Sequence, residues 1–375
     1  MVFTLALRNF VHDRVSLIVT LIGIVFSVVL MAIQLGLYFG SEKVITAMID
    51  ESRADLWITA VGAESFDDAP FMDGGERYAV HATAGVSEAI DLAVNIMPWN
   101  KADGSTQGIV LVGADPQDGG LAPWNVIEGS AAEIYRPGGV VVDRAYLEDL
   151  GVSKVGDSAE IAGKKVVIVA ITDQIRSFTT LPYVFTTLER GRELMGVRPN
   201  QSGFVLVRLQ KGADIDTVRK ALKASIRNVD VLTNQQFLER SVEHWLHATG
   251  AGAALIAGAI LGLIVGVVVV AQTLYASTKD HLNEFATLRA LGASARYIHG
   301  VILFQALFSA VLGYGIGILL AHLIEWATRD TQLVVLLTPV LSATLFGITL
   351  AMCAISAIAA IVKVTRIDPA MVFTR

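Results

Sequence analysis

Only one cysteine, Cys353, occurs in 375 residues, and it lies inside an apolar run. Intramolecular disulfides therefore support no part of this fold, so any exported domain must rely on its own core. Charge is scarce as well. Charged residues make up 17% of the chain against 53% hydrophobic, where an ordinary soluble domain carries roughly 25% charged. The shortage is local rather than spread out. No Asp, Glu, Lys or Arg occurs in 15–41, 248–278, 297–324 or 331–362. Each run exceeds the roughly 20 apolar residues needed to cross a bilayer core, and each predicts a transmembrane helix.

Several chemistries are missing too. There is no G-x-x-x-x-G-K-[ST] loop to cradle nucleotide phosphates, no H-E-x-x-H, no paired-cysteine zinc spacing and no G-x-S-x-G elbow. The chain is not expected to be an enzyme or to hold a metal or other cofactor. No nucleic-acid partner is expected either. The spans lack the acidic and basic groups that ion-driven carriers keep at membrane depth, which argues against a secondary transporter and a hydrophilic pore. His244 and His247 share a helix face beside Glu243, but a metal needs a further ligand. They are read as a polar collar at a membrane entry. His299 and His322 lie near the ends of the third run, where half-polar side chains are tolerated.

What is present sets the topology. Residues 1–14 mix apolar positions with Arg8, His12 and Arg14, as an amphipathic helix on the inner membrane face would. The first run is too long for a signal-peptide core and is expected to remain as an anchor. Segments 1–14, 279–296 and 363–375 are net basic, whereas 42–247 and 325–330 are net acidic. Basic short loops stay in the cytoplasm, so both termini and 279–296 are expected inside. The 42–247 domain and the short 325–330 turn are expected outside.

The expected architecture is a membrane protein of four transmembrane α-helices, with a large α+β extracytoplasmic domain inserted between spans 1 and 2. The segments 54–62, 107–116, 138–151, 157–172 and 203–212 are β-branched, bounded by Gly, Asp or Pro, and predict strands or strand-helix units. Residues 213–226 predict an amphipathic helix, with Ile215, Val218, Leu222 and Ile226 on one face. Residues 228–250 predict a strand, a turn and a helix leading to span 2. Phe66, Phe71, Trp99, Trp124 and Phe178 are candidates for a lipid or adaptor surface, or for the core of that domain. Gly258, Gly262 and Gly266 recur every four residues in span 2, and Gly313 and Gly317 do so in span 3. Such stripes let helix backbones approach closely, either at a homodimer seam or within one subunit.

The 279–296 connection is too long for a tight turn. Phe285, Leu288 and Leu291 give it an apolar edge, Glu284 and Arg289 give opposite charges, and Gly292 is a natural helix stop. Ser294 can begin the next helix. The pattern fits a short helix lying on lipid or docking a cytoplasmic partner.

This stretch, "NEFATLRALGASARYIHGVILFQAL", resembles the signature of the FtsX-like, or MacB-type, ABC transporter permeases. There a run of the form R-E-φ-x-x-L-R-A-φ-G-A follows the second span, φ being apolar. Glu284, Leu288, Arg289, Ala290, Leu291, Gly292 and Ala293 match it, while Asn283 replaces the usual basic residue. The ending "KVTRIDPAMVFTR" also fits the family, and its "DPAMVF" form is most similar to the DevC group of exporter permeases.

The resemblance implies a homodimer paired with two copies of a separate ABC ATPase, which binds ATP and Mg. It implies that Glu284, Leu288, Arg289, Ala290, Leu291 and Gly292 form a coupling helix held by that ATPase, with Arg366, Asp368 and Pro369 of the tail nearby. Membrane lipid, a membrane-fusion adaptor and an outer-membrane channel are the further implied partners. An inner (plasma) membrane location with a periplasmic outer domain follows, and the implied activity is export of a hydrophobic or amphipathic cargo by mechanotransmission. The alternative within the family is a signalling scaffold that regulates an outer cell-wall hydrolase.

Overall fold

A segment surrounded by hydrocarbon must satisfy every backbone group internally, and a helix does this without a partner. The first uncharged run accordingly forms helix α1 (Arg14–Glu51), and the others form α7 (Ala251–Asp280), α8 (Ala295–Ala327) and α9 (Pro339–Thr365). All four are long and apolar enough to cross a membrane. The computed structural model describes residues 14–67, 70–281, 284, 287 and 294–365. These divide into a membrane unit, which includes residues up to Phe39, Ala253–Arg329 and Val334 onward, and an outer unit, Gly40–Gly252 with Asp330–Leu333.

Two boundaries differ from the sequence reading. Span 1 was expected to end at residue 41, but α1 continues unbroken through Glu51. Charged side chains end an apolar run without ending a helix, and the last turns hold Met48 and Ile49 in the outer unit's core. Span 4 was expected from residue 331, but α9 begins at Pro339. Proline fixes the dihedral of a first helical residue and needs no N–H there. The preceding Thr338 accepts a hydrogen bond from the Leu341 N–H at 3.1 Å. Residues 333–337 are apolar yet form neither helix nor strand, with Leu336 N–H donating to the Gly36 carbonyl at 2.9 Å. The outer connection between α8 and α9 is therefore 328–338 rather than 325–330.

In the membrane unit the five stripe glycines each have α1 of the same chain as a neighbour, and Gly266 also meets Met352 of α9. A Cβ on Gly258 would meet Gln34 Cδ at 2.7 Å, on Gly262 Leu30 at 3.3 Å, and on Gly266 Ser27 Oγ at 2.4 Å. One on Gly313 would meet Ile24 at 2.6 Å, and one on Gly317 Val28 at 2.8 Å. All five lie against side chains of the same subunit. Interhelical hydrogen bonds add to this packing: Ser27 Oγ donates to the Gly262 carbonyl at 2.6 Å, and Ser356 Oγ to that of Val267 at 3.0 Å. Ile24 is fully buried and β-branched, so it cannot swing aside. Gly313→Ala is expected to destabilise the detergent-solubilised chain by about 1–3 kcal/mol. Gly315→Ala, on the same helix where a Cβ meets open space, is expected to be neutral in the same thermal unfolding measurement.

The outer unit is a mixed sheet of ten strands in the order β10-β1-β9-β2-β3-β8-β5-β7-β4, with β6 pairing β2 and β7. Strand β2 (Val86–Asn100) is long enough to belong to two lobes. Its first half pairs with β9 (Phe204–Leu209) and its second with β3 (Thr106–Gly113), both antiparallel. In the first lobe, β1 (Leu56–Ala60) is central between β9 and β10 (Val229–Thr233), so all five of its residues are buried. Leu56 and Ile58 face helices α2 (Glu76–His81) and α5 (Ile215–Ser225), meeting Val80, Val218 and Leu222. Trp57 faces the other way, among Phe66, Phe204 and Phe237, the last on α6 (Asn234–Val242). The α5 register matches the periodicity of its sequence, and Asp214 caps it through the Thr217 N–H at 2.9 Å.

In the second lobe, β5 (Gly139–Asp143) runs parallel to β7 (Lys164–Thr172), and β3 parallel to β8 (Tyr183–Thr186). Strands β6 (Ser158–Ile161) and β7 form a hairpin, and β4 (Val126–Gly129) closes the edge. Helix α3 (Leu147–Leu150) follows β5, and α4 (Leu188–Met195) follows β8. Gly113 on β3 and Gly191 on α4 lie back to back, where a Cβ on Gly191 would meet the Gly113 Cα at 2.8 Å. Of the candidate surface aromatics, Phe66 and Trp99 are core, Trp124 packs edge-on against Phe185, and Phe178 rests on Trp245. Phe71 is half-buried.

Candidate coupling site

The candidate site lies where α7 ends and α8 begins. Helix α7 carries its apolar residues to Leu274, then turns polar through Thr278, Lys279 and Asp280. The His281 imidazole meets the Glu284 carboxylate at 3.2 Å, one helical turn on, and Glu284 stays largely exposed. Ser294 opens α8: its backbone is extended and its Oγ accepts the Tyr297 N–H at 3.3 Å. That is the helix start expected at this serine. Arg296, two residues into α8, is exposed. Leu288, Arg289, Ala290, Leu291 and Gly292 lie outside the described residues, as do Arg366, Asp368 and Pro369 of the tail. Glu284 is the one coupling candidate whose surroundings are described.

Three of the histidines singled out from the sequence each have a carboxylate partner. His244 pairs with Glu64, His247 with Glu243 at 3.0 Å, and His322 with Glu325 at 2.8 Å. Among the described residues no three His, Cys, Asp or Glu side chains gather as a metal would need.

Toward the outer end of α7 the helix is interrupted. Between α6 and α7 lies a π-helical segment, Glu243–Ala248, followed by Gly250 at φ +78°. π-Turns of this kind concentrate at functional positions in helices. The left-handed conformation at Gly250 is one that glycine adopts without cost.

The buried polar network of the second lobe centres on Asp143. Its carboxylate accepts the Ala145 and Ile175 N–H groups at 3.0 and 2.8 Å and the Thr172 hydroxyl at 3.0 Å. Burial pushes this carboxyl above the usual carboxylate range, against the pull of those donors. The Tyr146 hydroxyl accepts the Ser177 N–H at 3.0 Å, and burial raises it to about 12. Tyr183, fully enclosed, donates to Asp67 at 2.6 Å and is likewise raised, by burial first and the Asp67 charge second. These bonds fix the loop 173–182 between β7 and β8. Nothing in the sequence pattern flags the network, because its members are scattered over more than a hundred positions.

Comparisons with known proteins agree with the motif. The family described as MacB-like periplasmic core domain matches residues 17–225, and that described as FtsX-like permease C-terminal matches 256–369. The chain belongs to the MacB-type, FtsX-like ABC transporter permeases. An uncharacterized ABC transporter permease of Methanocaldococcus jannaschii is 26% identical over 355 residues, covering 86% of this chain and 84% of its own. One from Mycobacterium tuberculosis is 25% identical over 336 residues, covering 85% of each. Among solved structures, the periplasmic region of MacB from Actinobacillus actinomycetemcomitans aligns with TM-score 0.37 at 8% identity, over 54% of this chain and 98% of that one. The extracellular domain of the noncanonic transporter YknZ from Gram-positive bacteria aligns with TM-score 0.36 at 14% identity, over 48% and 99%. The family is that of multi-pass ABC transporter permeases, which implies an ATPase partner.

Proposed function

We propose that this chain is the permease subunit of a MacB/DevC-type ABC exporter. Two copies act with two copies of a separate ATPase, which binds the ATP and Mg. The ATPase grips the 279–296 segment at the cytoplasmic face, where both termini also lie. Its closure on nucleotide moves the spans, and the outer unit responds. An adaptor docked on the outer unit, leading to an outer-membrane channel, carries a hydrophobic or amphipathic cargo onward without passage through these helices.

One observation carries the reading. Helix α1 runs from the membrane unit to residues Met48 and Ile49 in the core of the outer unit without a break. A continuous helix transmits displacement along its axis, whereas a flexible linker would absorb it. The four uncharged runs offer no Asp, Glu, Lys or Arg on which a solute path could be built, which fits work done outside the bilayer. The size of the outer unit and its match to the MacB-like core domain favour export over control of a cell-wall hydrolase.

The test is purification of the full chain from its native membrane in mild detergent. An ABC ATPase and an adaptor are expected to co-purify in stoichiometric amounts, with bound lipid identifiable by mass spectrometry. Recovery of a cell-wall hydrolase in place of the adaptor would reject the exporter reading. Recovery of no ATPase would reject the whole of it.

A further inference from the structure

The four residues Asp330–Leu333, which follow α8, group with the outer unit and not with the membrane unit. They are held there at two points. Arg144, at the end of β5, places one guanidinium nitrogen 2.5 Å from Asp330 Oδ1 and 3.3 Å from Asp173 Oδ1. Gln332 donates its amide N–H to the Asp149 carboxylate on α3. Asp173 is in turn the first residue of the loop fixed by Asp143 and Tyr146, and its N–H donates to the Asn125 carbonyl at 3.0 Å. Five residues further along that loop, Phe178 packs on Trp245 of the π-helical segment, ring centroids 5.6 Å apart.

We infer that Arg144 is a positioning residue for energy transmission: by bridging Asp330 and Asp173 it makes the turn between α8 and α9 a second handle on the outer unit, beside α1. The inference rests on the proposed mechanotransmission and names where it acts. Two physical points support it. The Arg144 and Asp330 side chains are 46% and 77% exposed, so the pair is worth little to stability. Its retained effect is positional, since one guanidinium nitrogen in contact with both carboxylates keeps Asp330 next to Asp173. The loop it connects to is rigid, because buried hydrogen bonds from Asp143 and Tyr146 hold its backbone. The Phe178–Trp245 contact brings the segment that leads into α7 to the same loop. Both the α8–α9 turn and the segment that leads into α7 therefore touch one short stretch of the outer unit, 173–178.

The test uses the full chain with its co-purifying ATPase in lipid nanodiscs. Ile127, exposed on the edge strand β4, is replaced by cysteine and labelled with an environment-sensitive fluorophore; Cys353 is buried and does not compete. Arg144→Asp and Asp330→Arg are each expected to cut the ATP-dependent fluorescence change by about fivefold while leaving the ATPase rate near that of the parent chain. The double variant Arg144→Asp/Asp330→Arg places an arginine between two carboxylates again and is expected to recover more than half of the signal. Single variants that keep the full signal, or a double variant that recovers none of it, would overturn the role of the pair. A parent chain with no ATP-dependent signal would instead reject the mechanotransmission reading itself.

Discussion

A chain carrying Gly292→Pro or Arg289→Glu is expected to insert normally and to keep its outer unit folded, yet to leave the bound ATPase unstimulated, with coupling reduced about tenfold or more. The spans are specified by their uncharged runs, and neither position falls in one. What changes is the connection between α7 and α8. A helix that stops at Gly292 relies on the left-handed region that glycine enters freely, and proline, locked near φ −65°, cannot enter it. The stop would shift, and with it the orientation of Leu288 and Leu291, whose apolar side chains are the natural buried contacts for a docking groove. Arg289→Glu reverses one charge in the segment proposed to dock the ATPase, which would turn an electrostatic match with that partner into a repulsion. ATP hydrolysis by the ATPase with wild-type or variant permease in reconstituted membranes checks both. Normal stimulation by both variants would remove this segment from the coupling role.

Much of the architecture was legible because membrane solvation is a severe filter. A run free of charge and longer than a bilayer core admits few alternatives, so the four spans were evident from composition along the chain. Their ends were less so. Residues 333–337 are as apolar as a span but not helical: Val335, Leu336 and Leu337 pack beside Gly36, and Pro339 sets where α9 can start. In the outer unit, strands with β-branched alternation were evident, while β2 was not. It contains Asp91 and Pro98, which ordinarily argue against a strand. Arg192 pairs with Asp91 at 2.9 Å and makes the carboxylate tolerable. Such pairing, across about a hundred residues, leaves no local trace. The glycine stripes showed that helices approach closely, but not which helix they approach; that needed the positions of Ile24, Ser27, Val28, Leu30 and Gln34 on α1. The proposed coupling role of 279–296 rests on its motif alone. Arg144 and Asp330 are 186 residues apart, and no spacing rule connects them.

Trp57→Ala is expected to have the largest effect on stability of any single substitution in the outer unit. The indole is fully buried at the centre of β1, itself central in its lobe. It meets the rings of Phe204 and Phe66 edge-on at 5.4 and 6.3 Å and that of Phe237 at 4.9 Å. Its Nε1–H donates to Asn234 Oδ1 at 2.9 Å, tying the strand to the first turn of α6. Removing it opens a cavity that β1 cannot close, because hydrogen bonds to β9 and β10 hold it on both sides. Truncation of a buried aromatic of this kind costs about 3–5 kcal/mol. A domain's net stability is only about 5–15 kcal/mol, so much of it would be lost. Trp57→Phe separates the two contributions: it keeps most of the ring packing and forfeits the bond to Asn234, leaving that amide oxygen unpaired at a cost of about 1–3 kcal/mol. Met48 and Ile49 at the end of α1 share this core, so its loss would also free the end of the helix proposed to drive the outer unit. Limited proteolysis of the full chain during a thermal ramp checks the order. The outer unit of Trp57→Ala should become cleavable at the lowest temperature, that of Trp57→Phe next and the parent chain last. An alanine variant as protease-resistant as the parent would show that this aromatic cluster does not hold the lobe together.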